Sequence, residues 1–202
     1  IYRVACGAYD DRYDWTDVLM REASSHFEGL SYHYYTGLPR TEDVSRSSTE
    51  YGEYEWFLTM KRAADLEATL DRHLAIMDAH DPERRVGLIV DEWGTWHDVE
   101  PGTNPGFLFQ QNTIRDAVLA AHHLNLFAAR SYRVRMTNIA QTVNVLQAVL
   151  FTDGAQLIKT PTYHVFDLYR GHHDASMIEI HLDAGEYTYD GTSIPALSAL
   201  CT

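Results

Sequence analysis

The sequence predicts an α/β fold in which parallel strands are joined by crossover helices and followed by a smaller β layer. Three observations predict it. Val86, Leu88, Ile89 and Val90 form an apolar run without alternation, the pattern of a strand covered on both faces. Strand-like and helix-like segments alternate as β-α-β-α-β-α-β between Tyr2 and Met136, an order that needs crossover connections. After about Pro161 short strands follow one another without helices between them.

Taken in order, Tyr2 to Cys6 is a short apolar run closed by Gly7. Tyr13 to Phe27 carries Trp15, Val18, Leu19 and Ala23 at helical spacing, and Glu28-Gly29 breaks it. Leu30 to Tyr35 reads as an aromatic-rich strand, and Thr36 to Ser48 as a polar surface loop. Glu53 to Ala79 is a long helix with an apolar stripe of Leu66, Leu70, His73, Leu74 and Met77, stopped by Asp81-Pro82. The strand at Val86 follows, then a loop from His97 to Gly106 that is rich in Pro and Gly. Thr113 to Arg130 is apolar around most of its surface, a buried helix. Tyr132 to Met136 suggests a fourth strand, and Asn138 to Leu150 a loop with a short helix. Tyr163 to Tyr169 reads as one more helix or turn. Met177 to Leu182, Tyr187 to Tyr189 and Ala196 to Cys201 read as short strands.

Composition narrows the function classes. A formal charge of −13 over 202 residues argues against a nucleic-acid partner. No apolar run approaches the ~20 residues of a membrane span, so no membrane partner is expected. The opening IYRVACGAYD lacks the basic and apolar regions of a secretory signal. Cys6 and Cys201 form no C-x-x-C pair and read as two free, mostly buried thiols. These features favour a reducing, cytoplasmic setting over secretion.

The chemistry concentrates at the end of the third strand. In VDEWGTWH, Asp91 and Glu92 stand where a parallel strand emerges at its C-terminal end, the place where α/β barrels build their sites. Trp93 and Trp96 offer flat apolar surface beside the acid. Glu92 is the candidate nucleophile or acid/base. Strict alternation turns Asp91 to the opposite face, a structural position. On the second strand, alternation separates Tyr32 and Tyr34 from Ser31, His33 and Tyr35. His33 and Tyr35 can orient a carboxylate or simply pack a core. Asn138, Gln141 and Asn144 can bind sugar hydroxyls or cap turns. The dyads His122-His123 and His172-His173 have no chelating spacing, so no metal is expected.

Four segments together, CGA at Cys6–Ala8, LSYHYYTG at Leu30–Gly37, LIVDEWGTWH at Leu88–His97 and NIAQTVNVLQ at Asn138–Gln147, resemble the family 51 glycoside hydrolases, the α-L-arabinofuranosidases. The resemblance implies the second half of a (β/α)8 TIM barrel, strands five to eight, over residues 1–160. Residues 161–202 then hold the last barrel helix or linker and the first strands of a β-sandwich (jelly-roll) domain. It implies retaining removal of terminal arabinofuranosyl residues from an arabinose-containing oligo- or polysaccharide, with no cofactor, in a homo-oligomer. It assigns Glu92 as nucleophile and Tyr35 as the tyrosine that hydrogen-bonds it. It places His33, Trp96, Gln141 and Asn144 at the sugar.

The family's acid/base Glu belongs to an Asn-Glu pair, and this sequence has none. That residue is expected from the remaining half of the barrel, on the same polypeptide or a companion fragment. Two other readings remain open at this stage: an endo-glucanase or xylanase on the same scaffold, and a non-catalytic carbohydrate-binding remnant.

Overall fold

The computed structural model describes residues 1–202. Its centre is a four-stranded parallel sheet in chain order, built from β1 (Val4–Tyr9), β2 (Gly29–Thr36), β3 (Gly87–Thr95) and β4 (Val134–Ile139). The crossovers are α1 (Tyr13–Ala23), α2 (Glu53–His80) and α3 (Ile114–Ala129). Beyond the sheet lie a hairpin of β5 (Leu150–Asp153) and β6 (Gln156–Lys159), then α4 (Pro161–Tyr169), then a hairpin of β7 (Glu186–Tyr189) and β8 (Thr192–Pro195). No helix is long and apolar enough to cross a membrane.

The helices cover one face of the sheet. Leu30, Tyr32 and Tyr34 of β2 and Leu88, Val90 and Trp93 of β3 are buried there, against Leu66, Leu70, Leu74 and Met77 of α2 and Ala117, Ala120 and Phe127 of α3. Trp93 is fully buried, with its ring centroid 5.3 Å from Phe127. His123, also fully buried, packs near the rings of Tyr34, Trp93 and Phe127. Burial pushes its pKa down to about 3, so it packs as a neutral ring.

Local signals set the ends of these elements. Asp116 caps α3 by accepting from the Thr113 backbone N–H at 2.6 Å. Pro161 opens α4 after Thr160, whose hydroxyl accepts from Tyr163 N–H. At the opposite end of the sheet, the fully buried Arg133 holds Asp78 at 2.5 Å and Asp81 at 2.9 Å, tying the start of β4 to the end of α2.

Several sequence expectations need correction. Residues 177–182 and 196–201 form no strands, because strand-forming residues need a ladder partner and a single backbone bond, Ile178 N to Cys201 O, joins these two segments. Residues 138–150 hold no helix, and the chain there turns through positive φ at Asn144 and Gln147. Both hairpins were missed although each follows an Asp-Gly signal. Gly154 (φ 57°) opens the first turn, and Asp190 (φ 45°) and Gly191 (φ 74°) make the second. Cys6 is exposed rather than buried, because it lies on an edge strand and points away from the helices. Gly7 follows it where a Cβ would collide with the Ser31 carbonyl, so only glycine lets β1 approach β2 there.

Trp93→Ala should destabilise the protein by about 3–5 kcal/mol, because it removes the largest side chain of the core and leaves a cavity. Denaturant unfolding of the two proteins measures this.

Candidate active site

Leu30, Tyr32 and Tyr34 point into the core, so Ser31, His33 and Tyr35 point out of the opposite face of the sheet. The Tyr34 hydroxyl donates to the Arg62 carbonyl at 2.7 Å, which locks the inward set and thereby the outward one. On β3 the pairing starts in step, with Ser31 opposite Ile89, but His33 lies opposite Glu92. Two steps on β2 therefore match three on β3. Against β4 the same stretch again has an extra residue, since Val90 pairs with Thr137 and Trp93 with Ile139. This is a β-bulge, and it reverses the alternation beyond Val90.

The bulge corrects two expectations. Trp93 is turned into the core and offers no surface beside the acid. Asp91 does not point to the opposite face: its Oδ1 accepts from Ser31 Oγ at 2.7 Å and lies 3.1 Å from His33 Nε2, on the same side as Glu92.

The outward face brings together Glu92, Tyr35, His33 and Trp96. The Tyr35 hydroxyl donates to Glu92 Oε2 at 3.1 Å. Burial, then the Glu92 charge and this bond, push the Tyr35 pKa well above the ordinary tyrosine range, so the phenol keeps its proton and stays a donor. His33 Nδ1 lies 3.5 Å from the same Oε2. Trp96 stands edge-on to Tyr35 with centroids 5.0 Å apart. Gln141 is exposed in the loop after β4. Asn144 is engaged within the protein. Its side chain donates to the Thr152 carbonyl at 3.0 Å and accepts from Thr152 N–H at 2.9 Å, bracing that loop on β5.

Directly beyond Glu92 lies a buried polar cluster that no sequence pattern announces. Thr95 Oγ1 sits 2.6 Å from Asp116 Oδ1 and 2.7 Å from Gln147 Oε1, and its backbone N–H donates to Gln147 Oε1 at 2.7 Å. His97 Nε2 is 3.0 Å from Asp116 Oδ1, while Gln110 closes a pair of bonds with the His97 backbone. Gln147 Nε2 continues to Thr162 at 2.9 Å, and Thr162 is paired with Asn112. The end of β3 is thus tied to α3, α4 and the loop after β4. The available signal was Thr95 and His97, two residues apart in LIVDEWGTWH. Their partners lie 13 to 52 positions away.

Asp116 carries a pH consequence. Burial opposes its charge, but hydrogen bonds from His97, Thr95 and the Thr113 N–H outweigh burial and hold the pKa below the ordinary aspartate value. A carboxylate depressed on folding contributes stability above its unfolded pKa and loses it as pH falls through the folded value. The unfolding midpoint should therefore drop on acidification below about pH 4. Asp116→Asn should lower the midpoint at neutral pH and flatten that acid slope, as thermal melts across pH would record.

Comparison with known proteins converges on one family. The family model for the α-L-arabinofuranosidase C-terminal domain matches residues 91–196. An intracellular exo-α-L-arabinofuranosidase of Bacteroides ovatus is 40% identical over 200 residues, 98% of this chain and 39% of its own length. A probable α-L-arabinofuranosidase C of Aspergillus clavatus is 31% identical over 142 residues, 69% of this chain and 27% of its own length. The crystal structure of the family 51 (GH51) arabinofuranosidase of Xanthomonas axonopodis pv. citri superposes with a TM-score of 0.94 at 48% identity, covering 99% of this chain and 41% of that one. A family 51 enzyme of Bifidobacterium longum, at 17% identity and a TM-score of 0.80, shares the fold. The chain thus spans about two fifths of the length of such relatives. It belongs to the family 51 α-L-arabinofuranosidases.

Proposed function

We propose that this chain supplies the nucleophile side of a retaining, exo-acting α-L-arabinofuranosidase, with Glu92 as nucleophile. The observation that carries this reading is the Tyr35–Glu92 hydrogen bond at the C-terminal end of adjacent parallel strands. A protonated phenol on Oε2 fixes the carboxylate, and no hydrogen bond reaches Oε1, which is free to attack an anomeric carbon. Trp96 forms a wall of the sugar site beside Tyr35, and His33 and the exposed Gln141 amide reach the sugar hydroxyls. Asn144 acts one step back, by holding the loop that carries Gln141.

The architecture proposed around this site is the second half of a (β/α)8 barrel over residues 1–160, leading into a β-sandwich domain over 161–202. It is supported by the parallel order of the four strands, by helices on one face only, and by β1 and β4 standing as unpaired edges. The acid/base Glu comes from the half-barrel that joins those edges, about 5–5.5 Å from Glu92, as retention requires. Reaction proceeds by double displacement. Glu92 attacks as the acid protonates the leaving oxygen, and water then releases arabinose with the same Glu acting as base. The substrate is an arabinose-containing oligo- or polysaccharide. The intracellular relative supports an intracellular site of action, and a homo-oligomer completes the proposal.

In the full-length enzyme, Glu92→Gly should lower turnover of 4-nitrophenyl α-L-arabinofuranoside by roughly 10³-fold or more. Azide should restore part of it and yield an arabinosyl azide of inverted configuration. Near-normal turnover of this variant would remove Glu92 from the mechanism. Tyr35→Phe deletes one hydrogen bond to a charged group, ~1.5–3 kcal/mol. It should cost about tenfold to a hundredfold in kcat/KM, read by steady-state kinetics.

A further inference from the structure

We propose that Tyr9 is a specificity-determining residue that binds the sugar unit to which the departing arabinose is attached; this rests on the arabinofuranosidase reading of the same site. Tyr9 ends β1, and a second bulge sets where it points. Ala5 lies opposite Leu30 and packs against the core, and Ala8 lies opposite the buried Tyr32. Three steps on β1 therefore match two on β2. Strict alternation from Ala5 would turn Tyr9 into the core, and the extra residue turns it out. Gly7 sits inside this bulge, where a Cβ would strike the Ser31 carbonyl. Ala8 takes the inward position at 5% exposure, so core packing does not need the Tyr9 ring, which is 62% exposed.

The register then runs straight across the sheet. Tyr9 lies opposite His33, and His33 lies opposite Glu92. One row at the C-terminal rim thus carries Tyr9, His33 and Glu92 on the same face. The Asp10 N–H donates to the His33 carbonyl at 3.0 Å, which pins the end of β1 to β2 just past Tyr9. With strands about 4.8 Å apart, the Tyr9 backbone stands roughly 10 Å from that of Glu92. That spacing exceeds the width of one furanose ring. Trp96 and Gln141, the proposed walls of the arabinose site, follow β3 and β4, which leaves the β1 side of His33 to the rest of the substrate. A tyrosine there offers a flat apolar face with a hydroxyl at its tip. A pentose unit presents the matching surfaces, C–H groups on its face and hydroxyls at its edge.

The test compares two substrates of the full-length enzyme, α-L-arabinobiose and methyl α-L-arabinofuranoside. Both release an alkoxide, and only the first carries a sugar beyond the scissile bond. Tyr9→Ala should lower kcat/KM on arabinobiose by about tenfold, the scale of one lost aromatic contact. On the methyl glycoside the same substitution should change kcat/KM by less than about twofold. Tyr9→Gln keeps the length of the side chain and loses the flat ring. It should show the same selectivity, and it serves where Tyr9→Ala does not fold. Equal losses on the two substrates, or arabinobiose hydrolysis unchanged within about twofold, would overturn the proposal. The functional reading fails separately: if the unsubstituted enzyme releases arabinose from neither substrate, that reading falls and this proposal with it. An active enzyme whose variants lose equally on both substrates removes the role of Tyr9 alone.

Discussion

Everything at this site depends on one extra residue in β3. Ile89 lies opposite Ser31 on the outward face, so strict alternation would send Glu92 into the helix-covered core and Trp93 out to the site. The bulge between Ile89 and Glu92 does the reverse. The largest apolar side chain of the strand is buried among Phe127, Phe166 and His123. The charged one emerges opposite His33. Burying an unpaired carboxylate costs several kcal/mol, and burying a tryptophan returns a large apolar area. Packing and chemistry therefore favour the same local irregularity.

A bulge alone leaves a flexible strand end. The cluster of Thr95, His97, Asp116 and Gln147 removes that freedom. These four side chains are nearly or fully buried, and a buried polar group left without a partner is costly. The strand end thus has one low-energy arrangement. Glu92 lies beside two fixed points, the apolar anchor of Trp93 and the polar anchor of Thr95, while Tyr35 holds its side chain. Such rigidity suits the role proposed for Glu92, a nucleophile that must meet a sugar carbon in one orientation.

The parallel sheet was legible in the sequence because its central strands are apolar runs and its helices carry stripes or are apolar throughout. The pairing of His33 and Tyr35 on one face was also legible, from simple alternation in β2. Asp91 and Trp93 were misplaced because alternation carries no sign of a bulge: nothing in LIVDEW marks where the extra residue falls. The Asp116 cluster was hidden for another reason, since its members are scattered from Thr95 to Thr162 and meet only in the fold. The two hairpins were readable from Asp153-Gly154 and Asp190-Gly191. By contrast, residues 177–182 look like a strand and are not one, because strand propensity is realised only beside a partner.

In the proposed mechanism Glu92 forms the covalent bond to the sugar. The direct measurement is peptide mapping by mass spectrometry of the full-length enzyme after reaction with a fluorinated or epoxide-type arabinofuranosyl inactivator. One inactivator-derived adduct is expected, the fluorinated glycosyl group or the ring-opened epoxide, on the peptide that holds Glu92 and on that residue. A label on a different carboxylate, or complete hydrolysis with inverted product and no label, would contradict it.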